Sequence, residues 1–146
     1  MADIENFEEV RLLEHVKTSN LLNGFNDING QRKSAPKLYV SEIDLTELQN
    51  NQRAVFFRLD GGDQLGDAAA KFEQYPVSIY VFGRKGKDDA GIVKGYAKDI
   101  ARWLRENYTN DDQCITNIQS LSFSGPQITE DSRRVYTINL IVKFTV

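Results

Sequence analysis

The chain has 146 residues, of which 40% are hydrophobic and 27% charged, with a formal net charge of −3. That is one domain's worth of sequence, long enough to bury about 70% of the surface its unfolded chain exposes. The acidic balance gives no support to generic duplex binding through phosphate neutralisation, and no apolar run approaches the roughly 20 residues a membrane helix needs.

The opening residues, Met1-Ala2-Asp3-Ile4-Glu5-Asn6, are acidic and polar, the reverse of a signal peptide. A single cysteine, Cys114, rules out an internal disulfide framework and suits a reducing compartment. Both point to the cytosol, so the sequon at Asn107-Tyr108-Thr109 is read as chance. Ile4, Phe7, Val10, Leu13 and Val16 recur every three residues among Glu5, Glu8, Glu9, Arg11 and Glu14. This predicts an amphipathic helix with Asp3 as N-cap and acids in the first turn, where the helix dipole favours them. His15 falls on its charged flank. A short helical stretch from Ser19 to about Phe25 follows, and a polar run closes at Pro36.

Strands are predicted at Lys37–Ile43, with Leu38 and Val40 inward, and at Ala54–Leu59, with Val55, Phe57 and Leu59 on one face. Between Asp60 and Asp67 three glycines leave too few side chains to pack, which predicts a flexible loop. A third strand over roughly 71–83 is apolar on both faces in its second half apart from Ser78, as in a strand covered on both sides. Pro76 predicts a bulge or bend there. Asp88 or Asp89 is placed as the cap of a second helix. Its apolar stripe is Ile92, Val93, Tyr96, Ala97, Ile100, Trp103 and Leu104, and Lys94, Lys98, Arg102 and Arg105 lie opposite. A closing hairpin runs from Ile115 to Ser124, turns at Gly125-Pro126, and returns through Arg134–Val146. In this last strand Tyr136, Ile138, Leu140, Val142, Phe144 and Val146 alternate onto one wholly apolar face. The expected architecture is α+β: an antiparallel or mixed sheet of about four or five strands with helices packed mainly on one face.

No residue pattern marks a reaction centre, and the chain is read as a non-enzyme without cofactor or metal. Gly86-Lys87 is followed by Asp88 where a phosphate loop needs Ser or Thr. Asp60, Asp63 and Asp67 lack the alternating oxygen ligands and closing Glu of a calcium loop. His15 has no partner at zinc-ligand spacing, and Cys114 reads as a small apolar residue before a strand. Phe56, Tyr39, and Tyr80 or Phe82 fall on outward faces and are read as partner contacts. The Lys94, Lys98, Arg102, Arg105 face is either a solvated helix face or a subunit contact.

The pattern resembles the tail terminator (tail completion) proteins of long-tailed bacteriophages, a family that includes related minor capsid proteins of prophages. The resemblance runs over nearly the whole chain. It rests on Pro36-Lys37-Leu38-Tyr39-Val40, on Ala54-Val55-Phe56-Phe57-Arg58-Leu59-Asp60-Gly61-Gly62, on Val77–Gly83 running into the Asp89–Tyr108 helix, and on Arg134–Val142. It implies one domain over residues 1–146 and a structural role. Six copies would form a ring on the finished tail tube, stop its polymerisation and offer a surface for head joining. The implied partners are further copies of the chain, the major tail tube protein and the head–tail connector or neck protein, with no membrane and no specific nucleic acid, though DNA would pass through the ring lumen. The implied location is the host cytoplasm during assembly and then the virion tail. Candidate contacts are Asp60, Gly61, Gly62, Asp63, Gln64 and Leu65 in the loop, and Lys94, Lys98 and Arg102 on the helix. A head-completion or neck protein of the same particle, and a non-viral protein-binding module, are the alternatives.

Overall fold

A computed structural model describes residues 8–60 and 72–145. Its elements run α1 (Glu8–Lys17), a small ribbon of β1 (Phe25–Asn26) and β2 (Arg32–Lys33), β3 (Lys37–Val40), β4 (Ala54–Leu59), β5 (Phe72–Lys85), α2 (Ala90–Glu106), β6 (Ile115–Ile128) and β7 (Arg133–Thr145). The main sheet has the order β3-β4-β5-β7-β6. Its β3–β4 pair is parallel and its other pairs are antiparallel. The fold is therefore α+β with a mixed five-stranded sheet, as the periodicity predicts.

Tyr136, Ile138, Leu140, Val142 and Phe144 of β7 are buried against Val55, Phe57, Val77, Ile79 and Val81, and both helices cover this face. Burying such side chains contributes roughly 1.5–3 kcal/mol each, which is what drives the helices onto the sheet. On α2, Val93, Tyr96, Ala97, Ile100 and Leu104 are buried, whereas Ile92 and Trp103 are only partly buried at the rim. The Tyr96 ring stacks on Phe25 at 3.9 Å and its hydroxyl donates to the Leu21 carbonyl at 2.7 Å, which fastens the ribbon to the helix.

Several expectations need correction. On α1 the buried residues are Glu9, Leu12, Leu13, His15 and Val16, and Val10 is half-buried. A strict three-residue repeat falls 60° short of a 3.6-residue turn at each step, so the predicted stripe spirals off the buried face. Asp3, Ile4 and Phe7 lie outside the described residues. The helical stretch predicted through Phe25 is only a 3-10 turn at Leu21–Asn23, and the ribbon follows it. At Pro76 the pairing with Ile141 runs in register, and the shift comes later, between Phe82 and Lys85. The Pro76 carbonyl accepts from Asp60 N at 2.8 Å, beyond the last β4–β5 pair at Leu59 and Val77. A residue's N–H and C=O point to the same side of a strand, so the missing donor falls where β4 has already ended.

Gly125 and Pro126 do not form the hairpin turn but lie within β6, where the register shifts between Ser124 and Gln127. Gly125 has φ +127°, and a Cβ there would sit 2.7 Å from the Val135 carbonyl oxygen. The turn falls at Thr129–Ser132, held by the Thr129 hydroxyl, which donates to Asp131 and accepts from Arg133 N.

The outward aromatics are also covered. Phe56 and Phe82 are buried with Leu48, Ala54 and Val135 in a second cluster on the face opposite the helices, and Tyr39, Ile43, Leu45 and Tyr80 pack around it. The connection from β3 to β4 folds over them. Ala54 through Phe57 are therefore buried on both faces; Phe56 and Phe82 are core rather than partner contacts, and Tyr39 and Tyr80 are half-buried at the rim of the cluster.

Arg133, at the start of β7, pins that connection. Its side chain is fully buried, and all five of its N–H groups are used. Nε donates to Asp131 Oδ2 at 2.8 Å, Nη1 to the carbonyls of Gln52 (2.7 Å) and Gly83 (2.9 Å), and Nη2 to those of Leu48 (3.2 Å) and Gln49 (2.6 Å). Partial burial pulls the Asp131 carboxyl up, but the Thr129 hydroxyl and the Arg133 guanidinium together hold it below its ordinary value.

His15 is buried beneath Trp103, 4.8 Å between ring centroids, and does not stand on a solvated flank. It lies 2.6 Å through Nε2 from the Asn107 carbonyl and 3.0 Å through Nδ1 from Asn110 Nδ2. The neutral imidazole satisfies both, donating at Nε2 and accepting at Nδ1. Burial pushes its pKa below 6.5, against the opposing pull of the Asn107 carbonyl. A folded-state pKa below the unfolded value means the unfolded chain binds more protons as the pH falls. His15's contribution is therefore complete above pH 6.5 and declines on acidification toward the folded pKa. Urea unfolding at pH 7.5 and pH 5.5 should show a larger loss in the native chain than in His15→Gln. Equal losses would place a charged imidazole in the fold.

Candidate functional site

The four cations of α2 recur at nearly one-turn spacing, so Lys94, Lys98, Arg102 and Arg105 form one exposed row. Arg102 reaches Asp99 at 3.4 Å, an exposed pair worth at most about 1 kcal/mol, which leaves the row available to a partner. Lys98, Arg102 and Arg105 form one wall of a groove of about 440 Å3 between α2 and β6, with Ala101, Phe123 and Ile138 in its lining.

The opposite wall is the middle of β6. Ser120 pairs with Leu140 and Ser122 with Asn139, so Leu121 is the extra residue of a bulge and stands 52% exposed. Among the described residues β6 bonds in the sheet only to β7, which makes it an edge strand. None of its fourteen residues is charged, although edges are commonly guarded by charge. A cationic rim over an apolar floor suits an acidic, partly apolar protein surface. Among the described residues no group of three His, Cys, Asp or Glu side chains could hold a metal ion.

Asp60, the one described residue of the predicted loop patch, is engaged by the sheet. It accepts from Arg58 Nη2 at 2.9 Å and from the Ser78 hydroxyl. Ser78 also lies 2.7 Å from Asn139 Oδ1, and Asn139 Nδ2 donates to Ser122 at 2.8 Å. A polar chain thus crosses β4, β5, β7 and β6 on the face opposite the helices, and this accounts for the serine in the otherwise apolar stretch from Val77 to Phe82. Gly61, Gly62, Asp63, Gln64, Leu65 and Asp67 lie outside the described residues. The structure keeps Asp60 and the Lys94, Lys98, Arg102 row on opposite faces of the sheet.

Sequence reasoning missed the β6 edge and the acidic connection after β3. The connection had a signal in its three acids with no base from Glu42 to Gln52, whereas the edge status of β6 follows from strand order and had none.

A family model described as phage tail termination protein matches residues 42–146. The chain belongs to that family. Its role is accordingly structural, in phage tail assembly, and its place is the virion tail. No curated protein matches the chain. The match begins just after β3 and takes in β4, β5, α2, β6 and β7, including the groove and the charge-free edge. Before it lie α1 and β3, whose Leu12, Leu13 and Val16 are buried in the same core and whose Leu38 and Val40 pack against it. Among the described residues no helix is long and apolar enough to cross a membrane.

Proposed function

We propose that the chain caps the finished tail tube as a six-membered ring, stops polymerisation of the major tail tube protein, and presents its free surface to the head–tail connector. The observation that carries this reading is the family match over residues 42–146. The charge pattern is compatible with it. A closed ring uses a heterologous contact in which two different patches of one subunit meet its two neighbours. Two patches of opposite charge are available for this, the basic row of α2 beside β6 and the acidic β3–β4 connection over the other face of the sheet. Lys94, Lys98 and Arg102 are assigned to the contact between copies, and the segment from Asp60 to Leu65 to the tube or connector. Residues 1–146 act as one domain, because α1 and β3 complete the core of the matched region. Assembly takes place in the host cytoplasm, and a net acidic subunit would not trap DNA passing through the lumen.

The test is sedimentation over a wide concentration range, followed by negative-stain imaging with tail tubes supplied. Six-fold rings seated on tube ends are expected. A twofold dimer that ignores tubes would overturn the reading, and binding to isolated connectors without tube capping would replace it with a neck role.

A further inference from the structure

We infer that the groove between α2 and β6 is a socket that receives the acidic β3–β4 connection, residues 42–47, of a second copy of this chain. The contact is head-to-tail, and its extension into a closed ring rests on the ring reading above. The socket combines the cations of Lys98, Arg102 and Arg105 with the middle of a strand edge that, among the described residues, has no neighbouring strand beyond the bridge of Ile115 to Asn110, and whose side chains carry no charge. The plug has the complementary character. Glu42, Asp44 and Glu47 are all exposed, and no base occurs between Glu42 and Gln52.

The plug is also pre-shaped. Asp44 accepts from the backbone N–H of Thr46 at 3.0 Å and from its hydroxyl at 2.6 Å, Ile43 and Leu45 pack beneath, and Arg133 grips the carbonyls of Leu48, Gln49 and Gln52. A fixed loop loses little freedom on docking.

Placement argues for head-to-tail rather than twofold association. The plug packs over the Phe56 and Phe82 cluster on the face opposite the helices, where Leu45 and Thr46 share a surface hollow with Glu130 and Asp131 of the β6–β7 turn, whereas the socket opens between α2 and β6 on the helix side. Plug and socket therefore face different neighbours. A twofold pairing through β6 would set the cations of one socket against those of the other, an arrangement that like-charge repulsion disfavours. Opposite charges on opposite faces of the sheet favour the heterologous arrangement that can close.

The test uses two charge-reversed full-length chains, Lys98→Glu/Arg102→Glu and Glu42→Lys/Glu47→Lys, with thermal unfolding as the control on folding. If a reversed pair unfolds, the alanine pair at the same positions takes its place. In sedimentation at low salt, each chain alone is expected to need at least about tenfold more protein for association than the parent. An equimolar mixture should restore it, because each socket then meets a plug of opposite charge. A parent that stays monomeric at low salt up to millimolar concentration would overturn the contact, as would reversed chains that associate normally or a mixture that restores nothing. If tube ends carry six-fold rings of both reversed chains as readily as of the parent, this surface is wrong while the ring survives. If no protein caps tubes, the ring reading fails separately from the contact.

Discussion

Arg133→Met should destabilise the chain by about 5 kcal/mol, seen in urea unfolding as a lower midpoint at unchanged slope. Methionine keeps much of the volume, so the loss reports the polar contacts. Four backbone carbonyls and one Asp131 oxygen lose their donor together. A buried acceptor left without a partner costs about 1–3 kcal/mol, while relief of the guanidinium's own desolvation and entry of water return part of the sum. Against a typical domain stability of about 5–15 kcal/mol, the remainder is a large fraction. Arg133→Lys should fall between, since an ammonium has three donors radiating from one point and cannot span the five acceptors. Because three of those carbonyls belong to the β3–β4 connection, hydrogen exchange in residues 41–53 should accelerate ahead of exchange in β7. A loss under about 1 kcal/mol, with unchanged exchange, would mean that the connection is held by the Phe56 and Phe82 cluster alone.

Elements whose burial is decided by local period were legible in the sequence. The alternation of β7 and the 3.6-residue stripe of α2 state which face is apolar, and the structure buries those faces. The basic row was legible for the same reason, since Lys94, Lys98 and Arg102 are one helical turn apart. What escaped depends on distant partners. Nothing near Arg133 in sequence announces full burial, because the carbonyls it needs at Leu48, Gln49 and Gln52 lie more than eighty residues away. Likewise, the outward faces of Phe56 and Phe82 read as surface until the polar connection is seen to fold over them. The hairpin turn was misplaced because Gly-Pro is the stronger turn signal, whereas the actual turn is made by side-chain bonds from Thr129 and Asp131. The edge status of β6 is a matter of strand order, which the same fourteen residues would not disclose.

Asp89→Ala is expected to cost about 3–5 kcal/mol, because it strands a buried cation. Asp89 grips Arg53 in a two-bond fork, Oδ2 to Nε at 2.8 Å and Oδ1 to Nη2 at 2.5 Å, and the two side chains are 2% and 7% exposed. The sequence reading placed Asp88 or Asp89 as the cap of α2. Asp89 does occupy the N-cap position, but its carboxylate makes no capping bond and instead accepts from Arg84 N and Arg53. Removing it leaves Arg53 with the Phe25 ring, 5.4 Å away, as a poor substitute for a counter-charge. Removing both charges should cost less than removing one, since Arg53→Met/Asp89→Leu leaves no buried ion unpaired. The double-mutant cycle therefore has a defined sign: the double variant should be more stable than Asp89→Ala alone. A single substitution costing under about 1 kcal/mol, or a double that adds the two losses, would show that water already screens the pair. The pair joins the start of β4 to the start of α2, so it fixes the basic row of α2 relative to the sheet without touching the socket. Asp89→Ala should accordingly weaken association only in proportion to the fraction unfolded, whereas Lys98→Glu/Arg102→Glu should weaken it in a fully folded chain.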